Sequence, residues 1–223
     1  MKKIILLMAG VSLSVLSFAQ LSFGIHGTGN LADASIKNEN DFDYTKTMRA
    51  MPGAGIDIQY AFGKHVALRT GANYIQNGVT LKTTVDETVN MQLKIQNSLH
   101  YIQVPVNLLF TLPVLRMQLY AGGGGYFNYG ISGKSKAKLS HIMPDGNESV
   151  TVEEADAFKK EEDGGAGLKK ADYGIGALAG IRLGNGVFAN VGYQYSLANI
   201  ADTENGGRYK NRGLQLTIGF FFR

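Results

Sequence analysis

Apolar residues recur at every second position through eight separate stretches of the chain. In the terminal stretch RGLQLTIGFFFR (212–223), Leu214, Leu216, Ile218, Phe220 and Phe222 share one parity. Gly213, Gln215, Thr217, Gly219 and Phe221 share the other. A strand shows alternate residues to opposite faces, so each stretch reads as a strand with one wholly apolar side. The same alternation runs through 21–27, 54–62, 66–74, 101–110, 115–131, 173–183 and 187–197.

The second face of these strands carries Gly, Asn, Gln, Ser and Ala, with few charges. A soluble sandwich or a lipocalin-like barrel turns its polar face to water, and that face normally carries Lys, Glu and Thr. A Gly-rich polar face instead fits the crowded interior of a narrow barrel whose apolar side meets lipid. Stretches of about ten residues suit a tilted strand crossing a bilayer. The connections alternate in length. FGKH (62–65), TLPVL (111–115) and LGNG (183–186) are tight turns, whereas 29–50, 77–98, 132–171 and 198–211 are long. The expected fold is all-β: an eight-stranded antiparallel transmembrane up-and-down β-barrel with short periplasmic turns and four longer extracellular loops.

The N-terminus agrees with export. MKKIILLMAGVSLSVLSFAQ joins two lysines to an apolar run and a small-residue site, predicting a signal peptide over 1–19, cleaved after Ala19, and a barrel domain over 20–223. The chain has 29 Gly, 11 Tyr and no Cys, which excludes disulfides and thiolate metal sites. Of 22 basic and 18 acidic residues, Lys2 and Lys3 leave with the signal, so the remainder carries a net +2 and offers no case for nucleic acid.

Charged residues on the inward parity are Asp57, Arg69, Arg116 and Arg182, joined by His26. They are expected to form an internal polar network near the short turns, with Asp57 opposite or diagonal to Arg69. A selective ion path is the alternative. AGGGGYFNYG lacks the ending of a phosphate loop, and its glycines predict a bend, a bulge or close packing of Tyr and Phe from neighbouring strands. Of the four histidines, only His100 has a serine, Ser98, two residues away on the same parity, the single weak pairing for a lipid-modifying hydrolase. No metal-ligand spacing occurs, and neither cofactor nor catalytic residue is expected.

The second loop alternates apolar residues around DETV, and the third does so around PDGN, predicting hairpins that project beyond the membrane. In the second loop the apolar parity is odd, while the flanking membrane strands use even positions. Bulges near Asn77-Gly78 and His100 are expected to flip the two strands. The stretch ADAFKKEEDGGAGLKK that follows the third hairpin reads as charged and mobile.

Together, SFAQ, HYIQVPVNLLF, AGGGGYFNYGISGK and the aromatic last strand resemble the small outer-membrane β-barrels of Bacteroidetes, the PorT-like or outer membrane protein beta-barrel domain family. The resemblance implies residence in the cell outer membrane, contact with its lipid, and insertion by the barrel-assembly machinery. That machinery reads an aromatic C-terminal strand, which points to Phe220 and Phe222; here Arg223, not an aromatic residue, is last. The expected role is structural or surface-binding, with a plugged polar interior. The alternatives are a narrow porin, a component of a secretion assembly with extracellular or secretion-system protein partners, and a lipid A-modifying enzyme.

Overall fold

The computed structural model describes residues 20–37, 44–86, 91–142, 148–201 and 207–222. The expected signal peptide and the DETV and PDGN turn tips lie wholly or largely outside these residues. Ten strands form one antiparallel sheet: β1 (Leu21–Lys37), β2 (Thr45–Ala61), β3 (Val66–Asn77), β4 (Val79–Asp86), β5 (Met91–Val114), β6 (Met117–Ile142), β7 (Glu148–Asp156), β8 (Ala171–Leu183), β9 (Val187–Ser196) and β10 (Arg208–Phe222). β4 continues β3 past Gly78, and β7 hangs from the far end of β6 alone. The remaining order closes a ring of eight, sealed by β1 against β10 from Phe23 opposite Phe222 to Lys37 opposite Arg208.

The parity rule holds around this ring. Leu214, Leu216, Ile218, Phe220 and Phe222 all stand exposed on the outside, as do Ile102, Val104, Val106, Leu108 and Phe110 of β5. Their neighbours Thr217, Phe221, Gln103 and Leu109 are buried inside. Thus the apolar faces meet the surroundings, and lipid is the solvent that makes this stable.

The strands run further than alternation alone predicts. Most of 29–50 and part of 198–211, expected as loops, belong to β1, β2 and β10. At the opposite end β5 continues to Val114, so the turn is Leu115-Arg116 rather than TLPVL. Leu115 takes a left-handed conformation there (φ 53°). The two projecting hairpins exist as expected, as β4–β5 and β6–β7.

The expected flips of β3 and β5 do not occur. Their register is continuous from Thr70 opposite Val106 to Thr80 opposite Gln96, and odd residues of β5 face inward on both sides of His100. What changes is the chemistry of the inner face. Below, odd positions carry Gln103 and Asn107; above, they carry Tyr101 and Leu99, with Ile75 and Val79 beside them. The bulges lie instead on the partner strands. Tyr101 is opposite Gly130 but His100 is opposite Ser132, leaving Ile131 of β6 as the extra residue. Likewise Ala54 is opposite Tyr74 but Met48 is opposite Val79, so β2 holds one residue more than its partner between those points.

Among the glycines of AGGGGY, Gly122 and Gly124 turn inward where β5 presses closest. A Cβ on either would collide with a carbonyl oxygen of β5, that of Leu108 or of Val106. What packs against these two glycines is the β5 backbone rather than the Tyr and Phe rings expected there, and this close approach lets a narrow barrel coil tightly.

Candidate functional site

Four of the five expected interior residues do face the lumen. His26 Nδ1 lies 2.8 Å from Asp57 Oδ2, both side chains being buried. Asp57 is opposite Gly71 and Gln59 opposite Arg69, so Asp57 and Arg69 are diagonal neighbours. Arg69 does not turn to that carboxylate; its Nε and Nη2 donate to Gln59 Oε1 at 3.0 and 2.8 Å. Its guanidinium also lies over the rings of Tyr120, Phe188 and Phe221, at 4.6, 5.3 and 5.2 Å. Arg182 stacks on Phe221 from 4.5 Å. A planar, weakly hydrated cation suits such an aromatic box better than an ammonium does.

Arg116 departs from expectation. It sits in the turn between β5 and β6, exposed, and borders an open groove with Gln118 and Arg182 at the short-turn end. Parity counted through the turn had assigned it to the lumen. Phe220 and Phe222 face outward and touch edge to face, with centroids 5.4 Å apart.

Above the arginines, side chains bridge the lumen between strands that are not neighbours. Gln103 Nε2 of β5 donates to Gln194 Oε1 of β9 at 3.0 Å and to Asn128 Oδ1 at 2.9 Å. Asn30 Nδ2 of β1 donates to Asn77 Oδ1 and to the Gln76 carbonyl, each at 2.8 Å. Asp172 is fully buried and accepts from three strands: Ser196 Oγ at 2.5 Å, Asn211 Nδ2 at 3.0 Å and Asn128 Nδ2 at 3.1 Å. Asp172 was not anticipated, because it lies at the end of a segment that reads as charged loop. A lone carboxylate on the inward parity of Ala171–Leu183 was the signal that could have found it.

Next comes an apolar layer at the long-loop end. Ala34, Ile75, Val79, Leu99, Tyr101 and Tyr209 from the strands meet Ala157, Leu168, Ala198 and Ile200 from the connections. Phe158 packs against this cluster, edge to face on Tyr101, and presses so close to Gly130 and Gly133 that a Cβ on either would strike its ring. Leu168 N donates to the Ala157 carbonyl at 2.9 Å, folding the first connection on itself, and Lys169 N donates to that of Ile200 at 2.7 Å, tying it to the second. The segment expected to be mobile is therefore anchored by its apolar residues at both ends. These residues were hidden because they are scattered through loops and converge only in space.

On the outer face, Ser98 and His100 share a parity but not a hydrogen bond. Ser98 Oγ accepts from Arg49 Nη1 at 2.6 Å, and His100 Nδ1 is 2.5 Å from Tyr74 Oη. Among the described residues no three His, Asp or Glu side chains gather as a metal site.

A family model described as outer membrane protein beta-barrel domain matches residues 18–202. No curated protein matches the chain. Among solved structures the chain is similar to Ail of Yersinia pestis (15% identity, 90% of this chain and 99% of that one, TM-score 0.36). It is also similar to Neisserial surface protein A (14% identity, 90% and 97%, TM-score 0.37) and to OprG of Pseudomonas aeruginosa (12% identity, 91% and 94%, TM-score 0.44). With a matched domain over most of its length and a closed ring whose apolar side faces outward, this chain belongs to the outer membrane protein beta-barrel domain family.

Proposed function

We propose that the protein is an integral outer-membrane barrel with a closed interior, whose role is structural or surface-binding and is carried by the strand extensions beyond the membrane. One observation carries this reading: Gln103 and Gln194 bond directly across the lumen. The apolar layer around Tyr101 and Leu168 supports it, since an ion would have to shed its water there. In this reading the short turns face the periplasm and the hairpins face the medium. Residues 1–19 are the signal removed after Ala19, and Phe220 and Phe222 are read by the assembly machinery. The narrower likeness to PorT-like barrels belongs to the same reading and rests on HYIQVPVNLLF and AGGGGYFNYGISGK.

Binding is favoured over catalysis because Ser98 and His100 each bond to another partner. His26, Asp57, Arg69 and Arg182 act in this proposal as an internal brace, not as an ion path. The test is single-channel recording of the refolded barrel in planar bilayers. The expected result is a silent membrane; regular stepwise conductance would replace this reading with a narrow porin. Lipid A from cells carrying Ser98→Ala or His100→Ala is expected to match the wild type.

A further inference from the structure

The outermost strand of the projecting sheet, β7, has a free edge. Among the described residues β6 is its only strand partner. Ala157 N donates to the Gly133 carbonyl at 3.0 Å, in step with the register that sets Ala155 opposite Ser135 and Thr151 opposite Leu139. Along an antiparallel pair, residues alternate between exchanging both backbone bonds and turning both groups away. The odd residues of β7 therefore bond to β6, and the even ones turn N–H and C=O to the other side. Asp156 agrees: its carbonyl accepts from Ala166 N at 2.9 Å, which covers the base of the edge. Above it, Val150, Val152 and Glu154 present donors and acceptors that no strand among the described residues takes up. Val150 and Val152 are also 43% and 59% exposed. An open edge with exposed valines is a template for one more strand.

The sequence of this edge, Ser149-Val150-Thr151-Val152-Glu153, complements itself. Laid antiparallel to a second β7 about Thr151, it sets Val150 opposite Val152 of the second copy and Val152 opposite Val150, an apolar pairing on one face. These are even residues, so they are the ones able to exchange backbone bonds. On the other face Thr151 meets Thr151, and the Ser149 hydroxyl meets the Glu153 carboxylate. At the ends Glu148 falls opposite Glu154, whose carboxylate Lys134 and Lys136 already hold at 2.6 and 2.9 Å. Symmetry then fixes where the second copy stands. The two-fold axis of an antiparallel strand pair is perpendicular to the sheet, and a barrel wall stands upright, so this axis lies in the plane of the membrane. It inverts one barrel relative to the other and keeps the two membranes parallel. Barrels in one membrane have their β7 strands running the same way, which brings Glu153, Glu154 and Asp156 of both copies side by side. A self-paired β7 therefore belongs to barrels in facing membranes.

We infer that β7 is a homophilic docking strand, which joins the protein to a second copy of itself in a facing outer membrane by antiparallel pairing about Thr151. The inference rests on the orientation given under Proposed function. Ile131 of β6 is an exposed apolar residue, and Leu139 of the same strand lies opposite Thr151. At ~3.4 Å per residue and a tilt of ~40°, the run from Ile131 to Leu139 rises about 20 Å, so the two apolar walls stand about 40 Å apart. One such short pairing is weak, and many barrels in each membrane make it cumulative.

The test places the whole barrel, with N-terminal tags of two sizes, in two separate sets of phosphatidylcholine vesicles. The chain has no cysteine, so Thr151→Cys supplies the only thiol. Thr151 opposite Thr151 is a non-hydrogen-bonded pair, the kind whose side chains lie close enough for a disulfide. On mixing, the vesicles are expected to cluster, and mild oxidation is expected to give a dimer that carries both tags. Val152→Pro removes an N–H that faces the free edge and none from the ladder to β6. It is expected to keep the heat-modifiable folded form and to lose both clustering and the mixed dimer. Clustering that survives Val152→Pro overturns the inference. Dimers that carry one tag only, formed within a vesicle set, would make the contact a side-by-side one and overturn it too. Orientation is read on cells with a membrane-impermeant maleimide. Thr151→Cys labelled only after cells are opened would sink the parent reading as well. Labelling on intact cells with no mixed dimer sinks this inference alone and leaves the edge to a different protein.

Discussion

Gln103 and Gln194 meet in the middle of the lumen as a reciprocal amide pair, each donating to the other's oxygen at 3.0 and 3.3 Å. β6 and β8 separate their strands in the ring, so this contact measures how narrow the barrel is. Gln103→Ala removes donors from Gln194 and Asn128 and an acceptor used by Asn73. A loss of about 1–3 kcal/mol is expected, the usual cost of stranding buried polar groups. Urea unfolding of the refolded barrel, followed by its heat-dependent gel mobility, reads this directly.

Gly124 and Gly125 are neighbours with opposite tolerances. A Cβ on Gly124 collides with the Val106 carbonyl oxygen, whereas one on Gly125 meets only the Gly174 carbonyl oxygen at 3.7 Å. Gly124→Val is expected to block the heat-modifiable folded form. Gly125→Ala is expected to fold with a stability within about 0.5 kcal/mol of wild type. If both fold equally well, the close approach of β5 and β6 is not a constraint.

The seam between first and last strands carries one ion pair, Arg212 Nε donating to Asp33 Oδ2 at 2.7 Å. Asp33 is buried, whereas Arg212 keeps about a third of its side chain exposed. Arg212→Gln is therefore expected to cost about 1–2 kcal/mol, below the 3–5 of a fully buried pair, because solvent screens the exposed partner. A double-mutant cycle with Asp33→Asn gives the coupling; a value near zero removes the pair from barrel closure.

The tip hairpin should loosen in acid. Hydrogen bonds from Lys134 and then Lys136 hold the Glu154 carboxyl down at about 2, below its ordinary 4.5. A depressed carboxylate gives stability that is fully present above the unfolded value and lost as pH falls through the folded one. The β6–β7 pairing is thus expected to be tightest above about pH 4.5, to loosen progressively as pH falls, and to lose this contribution near pH 2. Spin labels placed across the two strands report their separation, and Glu154→Gln should abolish the dependence.

The outer wall of the barrel was legible in sequence because lipid imposes one rule on every strand. Leu214 to Phe222 could be assigned by parity alone, and so could His26, Asp57, Arg69 and Arg182. Arg116 was not, since counting parity cannot detect where a two-residue turn interrupts a strand. Asp172 was hidden by the lysines before it, which made its neighbourhood resemble a loop. The apolar layer at the mouth was the least visible part. Ala157, Leu168 and Ile200 have no periodicity, and only the folded ring brings them together.

β5 exchanges its greasy side at Tyr101 and Ile102: below, the even residues are apolar and look out; above, the odd residues look in and, apart from Asn97, are apolar. That exchange acts as a depth mark. Raising the barrel would lift Ile102 and Val104 into water, and sinking it would drag Gln96 and Lys94 into hydrocarbon. Either displacement is uphill, so this one strand works to fix the vertical position of the barrel.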